Sequence, residues 1–330
     1  MEKTDYKGFF IEALKIFTFC VALMVAFALK GSSTKELLLL LNMAVMSSSA
    51  TFSTKDEPLT IYLKAAVSIA FFSLLGGVIG FYFGILAKLL IVIFAAIAHL
   101  VPKRTFDFKI LINSCFVFLI FSSVPFDLKD AISFSSDAAL FIMAFCLFHL
   151  FFTKLSNQNE TLLDNKEHEI LKKNAGVAVG ALSLCWIIVF FLKVRYNYNY
   201  LYWIPLTTLL VLQGSASKII KTSLKRIFLS TIAAISSIYL FSYILPNIFA
   251  LNIFVLFIIL FCMFFFRYSE NKRTLFIEIY VLGLTFLLGK QQGPVVFERI
   301  LFTSIGAFVA IIATLVFDRF IYKNNLSTPS

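Results

Sequence analysis

Runs of roughly 15 to 25 apolar residues recur from one end of this chain to the other, with only short polar stretches between them. A helix of that length crosses a hydrocarbon core of about 30 Å and makes all its backbone hydrogen bonds internally. A soluble domain has no use for so many such runs. With 60% hydrophobic and 14% charged residues, and 41 Phe among 330, the composition lies well outside that of soluble globular domains. The pattern predicts an all-α integral membrane protein of about twelve transmembrane helices. The spans fall near 10–29, 36–53, 60–83, 85–101, 108–125, 133–153, 175–193, 199–213, 221–245, 247–266, 274–289 and 296–321.

The net charge of +11 follows from loop bias and needs no nucleic acid. With the N-terminus in the cytoplasm, about 20 of the Lys and Arg residues fall on the cytoplasmic side and about 8 on the outer side, as the positive-inside rule requires. Both termini are then cytoplasmic. The five cysteines (Cys20, Cys115, Cys146, Cys185 and Cys262) all lie within apolar runs. They read as small buried hydrophobes rather than as disulfides or metal ligands. His99, His149 and His168 are scattered. With no clustered nucleophile, base or metal ligands, the residues point to no enzyme, cofactor or metal.

The one long polar segment, about 154–174, separates a first six-helix half (1–153) from a second (175–330) and reads as a cytoplasmic linker. A shift of 161 residues lays Leu63-Lys64 on Leu224-Lys225 and Phe52-Ser53 on Gln213-Gly214. An even number of helices per half makes the two parallel repeats about an axis along the membrane normal, an arrangement known in secondary transporters.

In such proteins, short or interrupted helices at matching positions of the two halves mark the substrate site. The run from Tyr202 to Gln213 is short, contains Pro205 and stops at Gln213-Gly214. Its counterpart in the first half carries Ser47, Ser48, Ser49, Thr51 and Ser53. The candidate substrate-binding residues are therefore Ser47, Ser48, Ser49, Thr51, Tyr202, Trp203, Thr207, Gln213 and Ser215. Hydroxyl groups that bond their own backbone and let helices pack closely offer a competing explanation. An interfacial aromatic belt competes in the same way for Tyr202 and Trp203.

Lys218, Lys221, Thr222 and Lys225 share one helix face by their i, i+3, i+4, i+7 spacing, and Arg226 flanks them. With Lys64 in the first half they form either an electropositive mouth that gathers organic anions or a row of side chains snorkelling to lipid phosphates. Glu278 lies inside a predicted span and is the first proton-site candidate, against simple pairing with Lys272 or Arg273. Glu12 and Lys15 are spaced to pair. Gly76, Gly80 and Gly84 form a small-residue stripe for close packing, and Gly289 to Pro294 reads as an outer loop.

Several of these residues also carry a resemblance. Tyr202-Trp203, Leu206-Thr207, Val211-Leu212-Gln213 and Lys225-Arg226-Ile227 resemble the fusaric acid resistance (FUSC) family, within the aromatic acid exporter superfamily. Gly214 stands where the family has a turn proline, and Ser230-Thr231 replaces its usual Gly-Thr. The large cytoplasmic domain of long family members is replaced here by the short linker. The resemblance implies an inner-membrane efflux protein for aromatic carboxylates or similar amphipathic toxic compounds. Some relatives pair with a periplasmic adaptor of the membrane-fusion type, and the distantly related plant malate channels make an organic-anion channel the variant reading. A non-transporting membrane assembly protein is the third. The expected partners are a small organic anion, membrane lipids, such an adaptor and further copies of the chain.

Overall fold

Successive apolar runs become successive helices in the computed structural model of the chain. It describes residues 6–29, 31, 59–102, 105–123, 165–196, 198, 200–212, 219–241, 258, 270–287 and 292–325, with isolated positions between 128 and 140. The helices are α1 (Tyr6–Leu29), α2 (Leu59–Tyr82), α3 (Gly84–His99), α4 (Phe106–Ser123), α5 (Asn165–Tyr196), α6 (Trp203–Leu212), α7 (Ile219–Tyr239), α8 (Glu270–Leu287) and α9 (Gln292–Asn325). Regular structure among the described residues is entirely helical.

Among the described residues, two helices are long and apolar enough to cross a bilayer, over Ile170–Tyr196 and Pro294–Val316. Shorter apolar helices occupy Val67–Tyr82, Gly84–His99, Trp203–Leu212 and Thr274–Gly283. Large apolar side chains such as Ile85, Val194, Phe191 and Phe228 are exposed on the helices. Water would penalise such outward faces, whereas lipid favours them.

The chain forms two compact units, each drawing on separated segments. One comprises 1–70, 132–158 and 229–296, the other 71–131, 159–228 and 297–330. In the second unit α3 packs on α4 and α5, and α5 packs on α6. An edge-to-face aromatic cluster joins α2, α3 and α4: Phe72 meets Phe94 at 4.9 Å, and Phe94 meets Phe118 at 5.2 Å. Quadrupole complementarity favours this geometry.

The small-residue stripe divides in two. A methyl group added at Gly80 would sit 2.5 Å from Ser122 Cα, and one added at Gly76 would sit 2.8 Å from the Phe118 carbonyl oxygen. These two glycines let α2 approach the α4 backbone. Gly84 belongs instead to the start of α3, and a methyl group added there would meet nothing within 4 Å among the described residues.

Helix boundaries shift in two informative places. Helix α5 begins at Asn165, well before the expected start near 175, because the Lys-, Glu- and Leu-containing end of the polar segment favours helix. Helix α9 begins at Gln292, so Gln292, Gly293 and Pro294 form its first turn rather than part of a loop. Proline is tolerated there, since first-turn N–H groups have no intrahelical partner.

Helical hydroxyls largely bond their own backbone. Ser114 Oγ donates to the Ile110 carbonyl at 2.8 Å and Thr314 Oγ1 to that of Ala310 at 2.8 Å. This is how polar side chains are accommodated in an apolar helix bundle. Cys115 and Cys185 are buried free thiols, as expected of small hydrophobes. The side chains of Cys20, Cys146 and Cys262 lie outside the described residues.

Candidate functional site

Helix α6 is described over 10 residues, about 15 Å at 1.5 Å per residue. The expected span of 199–213 is thus shortened at its start, and the aromatic residues before Trp203 form a turn instead. The helix opens with backbone bonds from Trp203 N–H to the Tyr200 carbonyl (3.0 Å) and from Ile204 N–H to that of Leu201 (3.1 Å). Pro205 sits in the first turn, where its missing N–H costs no intrahelical bond.

Trp203 and Thr207 are i, i+4 neighbours and share a face of α6. Both are buried, Trp203 to 1% exposure. The Tyr200 ring stacks on Trp203 with centroids 4.8 Å apart and planes 14° from parallel. The Arg299 guanidinium carbon lies over the same indole, 4.6 Å from the ring centroid. The indole N–H donates to the Tyr202 hydroxyl oxygen. Trp203 is therefore a fixed post whose ring meets protein groups on its π surface and at its edge. An interfacial tryptophan half in lipid would look different.

Arg299, Thr303 and Gly306 run along one face of α9 by their i, i+4, i+7 spacing. Gly306 brings that face against α6. A methyl group added there would lie 2.5 Å from the Ile204 carbonyl oxygen and 3.0 Å from Thr207 Cβ. Only a residue without Cβ permits this approach.

Thr208 secures the crossing. Its hydroxyl lies 3.0 Å from the Ile204 carbonyl oxygen and 2.9 Å from that of Gly306, so its one proton is shared between two carbonyls. Cys185 Sγ of α5 lies 3.1 Å from the same hydroxyl oxygen. With that proton committed, the thiol serves as the donor. Tyr198 adds an edge-to-face contact with Phe302 at 5.4 Å.

Charge accompanies this crossing. Glu298 and Arg299 are both buried, at 9% and 3% exposure, in the second turn of a membrane-length helix. Intramembrane charges are rare and mark function by default. The Tyr200 backbone N–H donates to the Glu298 carboxylate. Glu298 Oε2 and the Thr303 hydroxyl are buried with no hydrogen-bond partner among the described residues. Such atoms are costly unless a partner arrives during function. In the turn outside the spans, burial of the Tyr202 hydroxyl pushes it up to about 12. Burial, helped by the nearby Glu298 charge, also raises Tyr200. Both phenols stay neutral donors across physiological pH.

The structure thus brings Tyr202, Trp203 and Thr207 to one crossing, together with Tyr200, Glu298, Arg299 and Thr303, which sequence reading did not single out. The signal for Glu298 and Arg299 was present as adjacent charges near the start of a predicted span; Thr303 carried none. Ser47, Ser48, Ser49, Thr51, Gln213, Ser215 and Lys218 lie outside the described residues. Lys221 is exposed on α7 while Lys225 and Arg226 are half-buried, and Lys64 is exposed on α2. Glu278 is buried at 1% exposure rather than lying at a surface; it belongs to the other compact unit. Lys15 is exposed, and the Glu12 side chain lies outside the described residues. Lys88 of α3 reaches the Trp186 ring of α5 at 5.6 Å, a cation–π contact between packed helices.

The described residues are thus all helical where regular, with two membrane-length apolar helices and buried charges where α9 meets α6, which is consistent with a membrane protein. Residues 184–313 match the family model described as fusaric acid resistance protein-like. The match supports the family assignment read from Tyr202-Trp203 and the residues that follow. It contains α6, α7 and α8 entire, and every residue of the crossing from Cys185 to Gly306. The family is one of membrane transport proteins of the resistance type, not of enzymes. Comparison with curated proteins and with solved structures gives no match.

Proposed function

We propose that this chain is an inner-membrane efflux transporter for organic carboxylates, aromatic ones among them, or for related amphipathic toxic compounds. The observation that carries this reading is the position of the α6–α9 crossing. The segment matched by the resistance family contains a buried guanidinium over the Trp203 ring of α6. A cation held in a low-dielectric environment attracts an organic anion far more strongly than one in water. The hydroxyl groups of Thr207 and Ser215 and the amide of Gln213 would complete the polar surface.

With both termini cytoplasmic, α6 runs from the outer face inward, and Lys218, Lys221, Lys225 and Arg226 gather anions at the cytoplasmic mouth. A negative-inside potential then favours anion exit by about 2.3 kcal/mol per charge per 100 mV. Proton antiport is the other driving force, with Glu278 as its candidate carboxylate. A periplasmic adaptor and self-association fit the same function. The test is benzoate release from proteoliposomes containing the purified chain. A saturating, potential-accelerated rate is expected. A rate that never saturates favours the channel variant, and release equal to that of empty vesicles contradicts both.

A further inference from the structure

We propose that Glu298 is a proton-binding site, and that a proton taken up there during export, a role that rests on the efflux reading above, loosens the aromatic turn leading into α6. The two oxygens of this carboxyl are unequally placed. Glu298 is 9% exposed in the second turn of the membrane-length helix α9. The carboxyl accepts from the Tyr200 backbone N–H, while Oε2 is buried with no hydrogen-bond partner among the described residues. When Glu298 is ionised, that oxygen carries charge with no described donor to meet it, a costly arrangement away from water. A proton is the smallest ligand that removes the charge, and it needs no cavity.

The groups around Glu298 do not compete for this role. The Tyr200 phenol is raised by burial and by the Glu298 charge, and burial pushes Tyr202 up to about 12, so both stay neutral. Arg299, over the Trp203 ring, is a guanidinium, a group that does not deprotonate in proteins. Helix α6 carries no titratable side chain, and the last turn of α5 carries the basic Lys193 and Arg195. Of these groups, only Glu298 is a carboxyl. A charged acceptor holds an N–H roughly twice as strongly as a neutral one. Protonation of Glu298 therefore weakens its hold on Tyr200, whose ring stacks on Trp203 at 4.8 Å. On the topology proposed above, the start of α6 faces outward, so this carboxyl takes its proton from the outer side.

The chain has two tryptophans, so the full-length Trp186→Phe protein in detergent reports Trp203 fluorescence alone. Between about pH 4 and about pH 8, the range of carboxyls in folded proteins, that emission should follow a single-proton transition. Adding Glu298→Gln, a neutral stand-in, should remove the transition and hold the emission at the acid level throughout, which general damage to folding does not produce. Glu298→Asp should keep a transition with a displaced midpoint. The site is overturned if Trp203 emission is flat with pH, if Glu298→Gln titrates like its parent, or if its emission is fixed at the alkaline level. Benzoate release from proteoliposomes, taken above the rate of empty vesicles, tests the use of the proton. A lower external pH should accelerate release by the unsubstituted chain and not by Glu298→Gln. Acceleration kept by Glu298→Gln overturns the coupling and leaves efflux standing. No release by the unsubstituted chain overturns efflux itself, and the emission titration still decides the proton site.

Discussion

The Arg299 guanidinium lies 4.6 Å from the centroid of the Trp203 ring, joining two residues 96 positions apart (299 − 203) in a contact between α6 and α9. The charge in a membrane-length helix is thus tied to the aromatic pair of the family-like segment. A desolvated cation–π contact is worth about 2 kcal/mol. Trp203→Phe and Arg299→Gln should each lower the melting temperature in detergent. The double variant should lose less than the sum, with a coupling of about 0.5–2 kcal/mol. Strict additivity would mean that the contact contributes nothing.

The α6–α9 approach depends on a missing methyl group. Gly306→Ala puts a carbon 2.5 Å from the Ile204 carbonyl oxygen, and the helices have to separate. The expected destabilisation is about 1–3 kcal/mol, with loss of transport. Gly84→Ala, with nothing within 4 Å among the described residues, should change neither by more than about 0.5 kcal/mol. Thermal melting and benzoate release on the two variants together separate a local clash from a general intolerance of substitution.

Thr208→Val keeps side-chain volume but removes the proton that Ile204 and Gly306 share. Because it also removes the acceptor for Cys185, we expect a loss of about 1–3 kcal/mol. Thr208→Ser keeps the hydroxyl and should recover most of it. Equal melting temperatures for the Val and Ser variants would remove the hydrogen bonds from the explanation.

Alkaline pH should loosen the aromatic turn. Burial raises the Tyr202 hydroxyl from an ordinary 10.0 to about 12, so the folded state favours the neutral phenol. That contribution is fully present below about pH 10, declines as the unfolded chain ionises, and is lost as pH rises through about 12. Between about pH 9 and pH 11 the parent should lose melting temperature more steeply than Tyr202→Phe. Parallel slopes would show that another group sets the alkaline limit.

Apolar runs made the helices legible, and the expected break at Gln213-Gly214 lies outside the described residues. Gly76 and Gly80 were readable as packing positions because small residues four apart share a helix face. Gly84 has the same spacing, but Phe83 leaves helical geometry, and spacing alone does not reveal such a break. Glu298 and Arg299 were harder to recognise. Near the start of a predicted span, adjacent opposite charges look like interface residues, and only the contacts of Tyr200 with Glu298 and of Trp203 with Arg299 show that they lie against the Tyr200–Trp203 turn. The contact of Thr208 with Gly306 spans 98 positions, and no local pattern encodes its partner. Trp203 illustrates the ambiguity best, because belt residue and buried post share the same local sequence.

The most direct test of efflux is the accumulation of labelled aromatic acids, benzoate first, in cells that make the chain and in cells that do not. Lower steady-state accumulation with the chain is the expected result, restored to the level of cells without it by Arg299→Gln at equal membrane abundance. Equal accumulation with and without the chain for every acid in the panel would contradict an efflux function.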